Sequence, residues 1–229
     1  MRGTGRGRWA EELSIAAVVF DLDGVLLDSE RLWDEARREV TAAHGGSWAP
    51  GATEDMQGMS SPEWAAYLHD RLGADLTPPE IVEEVVARLV ARYEQALPLL
   101  PGAADAIRRI GAVWPLGLAS SANRAVIDKV LALSGLAVMF RATVSSEEVA
   151  AGKPAPDVYI EAARRLGVPP GRCAAVEDSA NGIRSGAAAG MRVVAIPNRD
   201  YPPGADALAA AARVLRELGE LVPEVVEAL

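Results

Sequence analysis

Residues 18–30 read VVFDLDGVLLDSE: an apolar run, then Asp21 and Asp23 two positions apart, then Gly24, with Asp28 five residues beyond the second carboxylate. The run begins at Ile15 (IAAVVF), and a short continuous apolar segment of this kind reads as a strand buried on both faces. The two carboxylates then stand at the strand's exit, where a glycine allows a tight turn. Similar runs recur as PLGLAS (115–120), ATVSS (142–146), CAAVE (173–177) and RVVAI (192–196). Between them, residues 123–135, 156–167 and 179–190 carry apolar positions at helical spacing and stop at glycine. Strand and helix alternate from about residue 100 onward, which predicts an α/β fold with a doubly wound parallel sheet.

Residues 30–98 break that alternation and read as helices only. Leu32, Ala36, Val40 and Ala43 fall on one helical face, SPEWAAYLHDRLG (61–73) opens with proline after serine, and TPPEIVEEVVARLVARYEQAL (77–97) opens with a Thr-x-x-Glu capping box. Ile81, Val82, Val85, Val86, Leu89, Val90 and Tyr93 form an apolar stripe along the last of these. So long a stretch is not a plain connection. It predicts a helical cap at 30–98 inserted into a core made of 15–29 and 99–229, behind an N-terminal tail at 1–14.

The 229 residues suit one domain with an insertion or two small domains, and half of them are apolar, enough for a sizeable core. A net charge of −9 argues against nucleic acid as a partner. Of the 23 basic residues only Lys129 and Lys153 are lysine. One cysteine, Cys173, allows no internal disulfide and fits a reducing compartment. No apolar run approaches the ~20 residues of a membrane span, and the basic start MRGTGRGRWAEEL lacks the apolar region of a signal peptide. A cytoplasmic protein is expected, with no membrane partner, acting as a monomer or weak homodimer.

Ligands of such a sheet bind beyond the carboxyl ends of its strands. There the sequence places Asp21-Leu22-Asp23, Ser120-Ser121-Ala122-Asn123, Lys153 in GKPAPD, and Glu177-Asp178. Carboxylates converging on one edge repel, and a divalent cation relieves the conflict. Asp21, Glu177 and Asp178 are hard oxygen ligands, which selects Mg²⁺ with substrate phosphate completing its shell. Lys153 adds a cation, Ser120 a hydroxyl, and the backbone N–H groups after Asp21 and near Ser121 are donors for phosphate oxygens.

These motifs, DLDGVLLDSE, LASSAN, GKPAPDVY and VEDSANGIRSGAAAGM, resemble those of the haloacid dehalogenase superfamily of phosphatases, in the subgroup with a helical cap after the first strand of a Rossmann-like core. Within it the chain is similar to the β-phosphoglucomutase and sugar-phosphate phosphatase branch. The resemblance implies that Asp21 attacks phosphorus and forms an aspartyl-phosphate, and that Asp23 protonates the leaving oxygen and later takes a proton from water. It implies a metal held by Asp21, the Asp23 backbone carbonyl, Glu177 and Asp178, with Ser120 and Lys153 on the phosphoryl group. Leu22, Ser121 and Asn123 would also face the phosphate. The substrate would be a small phosphomonoester, most simply a sugar phosphate.

The mutase alternative is tested by the cap. The mutase carries a histidine where Trp33 stands and an arginine where Ser61 stands, and the cap here has no lysine in compensation. Both departures favour hydrolysis. Cap residues expected to face Asp21 are Trp33, Gln57, Met59, Ser60 and Trp64. Trp33 and Trp64 have an equal claim to the cap's own core, and Trp33 an equal claim to stacking on a sugar. A binding module without turnover is disfavoured, because Asp21, Asp23 and Lys153 are all retained. Glu177 has a second reading, as a residue that orients a neighbour. Arg108-Arg109 and Arg164-Arg165 read as solvated helix faces, and His44 and His69 as surface or packing residues.

Overall fold

In the computed structural model, which describes residues 14–56, 59–199 and 201–229, six parallel strands form one sheet in the order β3-β2-β1-β4-β5-β6. They are β1 (Ala17–Phe20), β2 (Leu116–Ser120), β3 (Phe140–Ser145), β4 (Cys173–Glu177), β5 (Arg192–Ala195) and β6 (Arg213–Val214). β1 pairs with β2 on one side and β4 on the other, through Val18↔Leu116 and Val18↔Ala174. The chain therefore reverses its winding at β1, and the crevice opens at the carboxyl ends of β1 and β4.

The apolar character of β1 follows from this central place. Val18 and Phe20 enter one core and Ala17 and Val19 the other, all fully buried. Strand alternation sends successive side chains to opposite faces, so both parities must be apolar. One face is covered by α7 (Asp157–Leu166) and α8 (Ala180–Ala188), through Val158, Tyr159, Ala162 and Ile183. The other is covered by α5 (Ala103–Gly111) and α6 (Arg124–Ser134), through Ile107, Ile110, Val126 and Ile127. Two short helices, α9 (Ala205–Leu208) and α10 (Pro223–Glu227), accompany β6 at the end of the chain.

Between β1 and α5 stand four helices: α1 (Glu30–Ala43), α2 (Ala52–Asp55), α3 (Ser61–Asp70) and α4 (Pro78–Gln95). Their apolar faces join the same cluster as one face of the sheet. On α4 the buried positions are Ile81, Val85, Leu89 and Tyr93, the centre of the stripe read from the sequence. Thr77 and Glu80 close its capping box. The buried face of α1 differs from the expected one: it holds Trp33, Ala36 and Val40, whereas Ala43 is exposed. The face turns because Trp33 packs against Trp64 of α3, with ring centroids 6.2 Å apart.

The entry to and exit from these helices are tied together. Leu27 bridges Leu99, Asp28 N–H donates to the Pro98 carbonyl at 2.9 Å, and Leu100 N–H donates to the Leu26 carbonyl at 2.9 Å. Arg109 corrects one expectation. It is not solvated but donates to the carbonyls of Leu218 and Leu221, pinning α5 to the chain's last segment. No described helix is long and apolar enough to cross a membrane. Residues 1–13 of the expected tail and Gln57 lie outside the described residues.

Candidate active site

The exits of the two central strands meet at Lys153. Its Nζ donates to Asp21 Oδ1 at 2.6 Å, to Glu177 Oε1 at 2.6 Å and to the Ala119 carbonyl at 3.0 Å. An ammonium has three N–H bonds, and all three have acceptors. Tyr159, reaching up from α7, donates its hydroxyl to the same Glu177 oxygen at 2.7 Å and sets its ring 5.0 Å from the ammonium. The other Glu177 oxygen accepts the Asp178 N–H at 3.1 Å. Glu177 is thus wholly buried, and its hydrogen bonds hold Lys153 and the following turn in place.

Two glycines make room for these carboxylates. Gly24 has φ of 78°, and a Cβ there would lie 1.8 Å from Asp178 Oδ2. A Cβ on Gly182, in the first turn of α8, would lie 1.9 Å from the Glu177 carboxyl. Backbone must approach the acids at both points, which only glycine permits.

Asp21, Glu177 and Asp178 each offer an oxygen, and these oxygens lie within 4.8 Å of one another. Burial, together with Glu177 and Asp23, pushes the Asp21 carboxyl up to about 8 against the pull of Lys153. Burial and the negative charges of Glu177 and Asp21 push Asp178 well above the ordinary carboxylate range. Burial alone would lower the Lys153 ammonium, but Asp21 and Glu177 outweigh it and hold it above its usual value. Three ionised carboxylates against one ammonium would leave two negative charges in a buried site. A divalent cation matches that surplus and the all-oxygen donor set, so the residues present fit one.

Asp23 lies in a different setting. Its Oδ1 accepts Ser29 Oγ–H at 2.5 Å and Trp33 Nε1–H at 3.1 Å. Ser29 is the N-cap residue of α1, yet its hydroxyl does not cap the helix. It serves the carboxylate instead. Burial raises the Asp23 carboxyl above its usual range, while Ser29 and Trp33 pull it down. The two aspartates therefore face different neighbours: Asp21 an ammonium and acids at the strand exits, Asp23 donors from Ser29 and from Trp33 of α1.

A cleft of about 360 Å³ opens over this cluster, lined by Asp21, Asp23, Ser121, Lys153 and Asp178 among others. Ser120 is buried beside it, its Oγ accepting the Ala122 N–H at 3.0 Å. Leu22 packs its side chain in the core and lends only backbone to the site. Its carbonyl accepts from Leu26 and Leu27, while its N–H meets no carbonyl of the described residues.

Two expected substrate residues are engaged elsewhere. Asn123 accepts from Ser61 Oγ at 2.8 Å and donates to Glu147 at 2.5 Å, so its amide joins α3 to the core and does not line the cleft. Ser60 is the N-cap of α3 and donates to Glu63 Oε2 at 2.6 Å. Trp33 lines a smaller cavity beside Asp23 but gives its indole N–H to that aspartate.

The sequence reading missed Tyr159, Glu30 and Arg37. Tyr159 sits two residues inside α7, on the apolar side that packs on the sheet, where a hydroxyl reads as core. Glu30 and Arg37 stand three residues before and four after Trp33, so helical spacing alone places all three on one face of α1.

Comparison with known proteins agrees with this geometry. Residues 15–190 match the family model described as haloacid dehalogenase-like hydrolase. Hexitol phosphatase B of Escherichia coli K12 is 36% identical over 194 residues, 80% of this chain and 84% of that protein. Fructose-1-phosphate phosphatase YqaB of the same organism is 32% identical over 188 residues, 78% of this chain and 95% of that protein. The crystal structure of CbbY from Rhodobacter sphaeroides in complex with phosphate superimposes with a TM-score of 0.84 at 29% identity, over 94% of this chain and all of that one. The chain belongs to the haloacid dehalogenase-like hydrolase family, as one of its phosphomonoester hydrolases.

Proposed function

We propose that the protein is a Mg²⁺-dependent phosphatase that hydrolyses a small sugar phosphate through an aspartyl-phosphate on Asp21. The observation that carries this reading is the pairing of Asp21 with Lys153 and Asp178 at the β1 and β4 exits, while Asp23, one turn away, is held by Ser29 and Trp33. The metal, held by Asp21, Asp178 and the Asp23 carbonyl, would neutralise charge on the transferring phosphoryl group. Glu177 acts through Lys153 and the turn after β4.

Lys153 fixes one oxygen of Asp21, which leaves the other to attack phosphorus. As the new P–O bond forms, the bond to the leaving alcohol breaks, and Asp23 gives that oxygen its proton. Asp23, now a carboxylate, takes a proton from a water whose oxygen attacks the same phosphorus. The Asp21–phosphorus bond breaks, phosphate leaves, and both aspartates return to their starting states. Ser120 keeps its proton to donate, because its oxygen already accepts from Ala122. The Leu22 N–H supplies a second donor. Fixed donors and charge are the main demands of phosphoryl transfer.

The structural side supports hydrolysis over a mutase reading: Trp33 holds the general acid, and the Ser61 hydroxyl is spent on Asn123. We take residues 30–98 as a cap that moves at the paired segments around Leu27 and Leu99, over a core of 15–29 and 99–229. We take the protein as a monomer or weak homodimer in a cytoplasmic setting, which suits its one free thiol.

The test is phosphate release from a panel of sugar phosphates, with Mg²⁺ and with a chelator, by wild type and Asp21→Asn. Turnover that needs both the cation and Asp21 is expected. Turnover in Asp21→Asn, or none on any substrate, would overturn the reading.

A further inference from the structure

Arg37 is a cation beside the cleft that the mechanism above does not use. Its guanidinium carbon lies 5.3 Å from the Trp33 ring centroid and 5.1 Å from that of Trp64. Those rings are tilted by 59° to each other and are themselves buried. Its Nε is buried and has no hydrogen-bond partner, and the head group forms no ion pair among the described residues. Its neighbours on the cap are different. Arg38 bonds Asp34 at 2.6 Å and Thr53 at 2.9 Å, and Arg92 bonds Glu39 at 2.6 Å. Packing against two indoles fixes Arg37 in place while leaving its donors unspent, and a buried donor without an acceptor calls for a reason.

Arg37 lines a cavity of about 80 Å³ together with Asp23, Glu30 and Ser121, and the latter three also line the large cleft. The small cavity is therefore an arm of the site, running past the general acid under the cap. Glu30 opens α1 and stands on the same helix face as Trp33 and Arg37. Its carboxylate accepts no hydrogen bond among the described residues. One unspent donor and one unspent acceptor thus share the space that the leaving group of a phosphomonoester must enter.

We propose that Arg37 and Glu30 form a distal subsite that reads hydroxyl groups of a polyhydroxylated leaving alcohol, a sugar or alditol. This rests on the phosphatase reading and adds to it the residues that select the substrate. A hydroxyl both accepts and donates, so adjacent hydroxyls satisfy Arg37 and Glu30 together. A second phosphate or a carboxylate on the substrate would meet the Glu30 carboxylate beside Arg37, a pair with no net positive charge to hold it. An apolar leaving group would leave both side chains unpaired and desolvated. The arm, of about 80 Å³, has room for a short run of such groups. Because Arg37 covers a face of each indole, neither Trp33 nor Trp64 offers that face to a sugar.

The experiment measures kcat and KM for wild type, Arg37→Met, Arg37→Lys and Glu30→Gln with Mg²⁺. Substrates are hexose and hexitol phosphates, acetyl phosphate (which has no hydroxyl chain), and a phosphorylated carboxylic acid. A site whose polar groups lose their partners discriminates strongly. Arg37→Met and Glu30→Gln should therefore raise KM for the polyol phosphates roughly tenfold or more beyond any change with acetyl phosphate. Arg37→Lys should recover part of the loss. Thermal melts confirm that each variant is folded, and the conservative Glu30→Gln stands in if Arg37→Met is not.

Equal losses on acetyl phosphate and polyol phosphates would overturn the proposal and assign Arg37 to packing alone. A wild-type preference for the phosphorylated acid would also overturn it. Both results leave the phosphatase reading intact. A wild type inactive on every substrate would instead remove that reading and the subsite with it.

Discussion

Lys153 has three N–H bonds and three acceptors, two of them carboxylates on different strands. Removing one partner of a buried ion pair leaves uncompensated charge and costs about 3–5 kcal/mol. Lys153→Met strands both Asp21 and Glu177, so it should lower stability by about that amount and abolish turnover. Tyr159→Phe is the informative contrast. It removes one donor from Glu177 and leaves Lys153 untouched, which should cost about 1–2 kcal/mol and reduce kcat without changing KM. Urea melts and steady-state kinetics on the two variants check this. Equal stability in Lys153→Met and wild type would mean that the pair at the strand exits contributes nothing to the fold. A raised KM in Tyr159→Phe would mean that the hydroxyl meets substrate. Tyr159 was invisible in the sequence because its role is set by a residue on the next strand. Asp21, Asp23, Lys153 and Glu177-Asp178 were legible because each sits at the end of an apolar run or in a motif whose chemistry is local.

Among the elements, α3 and α4 begin with the same device. Thr77 and Glu80 close a capping box at α4, as Ser60 and Glu63 do at α3. Loss of an N-cap hydroxyl costs about 1 kcal/mol. Thr77 is far in sequence and function from the site residues, so Thr77→Ala should lower the unfolding free energy from urea melts by that margin while kcat/KM stays within about twofold. A large loss of activity would show that α4 steers the cleft and is not merely a wall of the cap. The box at Thr77 could be read from sequence because donor and acceptor are three residues apart. Asn123 could not: it stands at the N-cap of α6, but its amide is taken by Ser61 and Glu147, which lie on other elements. Ser29 shows the same limit, since its capping hydroxyl is diverted to Asp23. Strand and helix order were legible from periodicity. What was not legible is which polar groups long-range partners would claim.

For the whole molecule, the decisive quantity is the surplus of negative charge where the two central strands end. β1 and β4 are neighbours in the sheet, and their exits bring Asp21, Glu177 and Asp178 together with, among the described residues, only Lys153 opposed by ion pairing. Folding must bury that repulsion, and a cation bound only by the folded chain returns part of the cost. Mass action gives about 2.7 kcal/mol when the ion is present at a hundred times its Kd. For a chain of this size 1 kcal/mol moves Tm by about 2–4 °C. Saturating Mg²⁺ should therefore raise Tm by about 5–10 °C over the chelated protein. Asp178→Asn removes one negative charge and one ligand oxygen at once. Its chelated form should melt no lower than chelated wild type, because repulsion is relieved, while its response to Mg²⁺ should largely vanish. Differential scanning calorimetry with and without chelator measures all four states. If wild type melted at one temperature in both conditions, the acids would be satisfied by Lys153 and protons alone, and the cluster would not be a metal site. If Asp178→Asn kept the full shift, the ion would sit elsewhere and the charge surplus at the switch point would need another explanation.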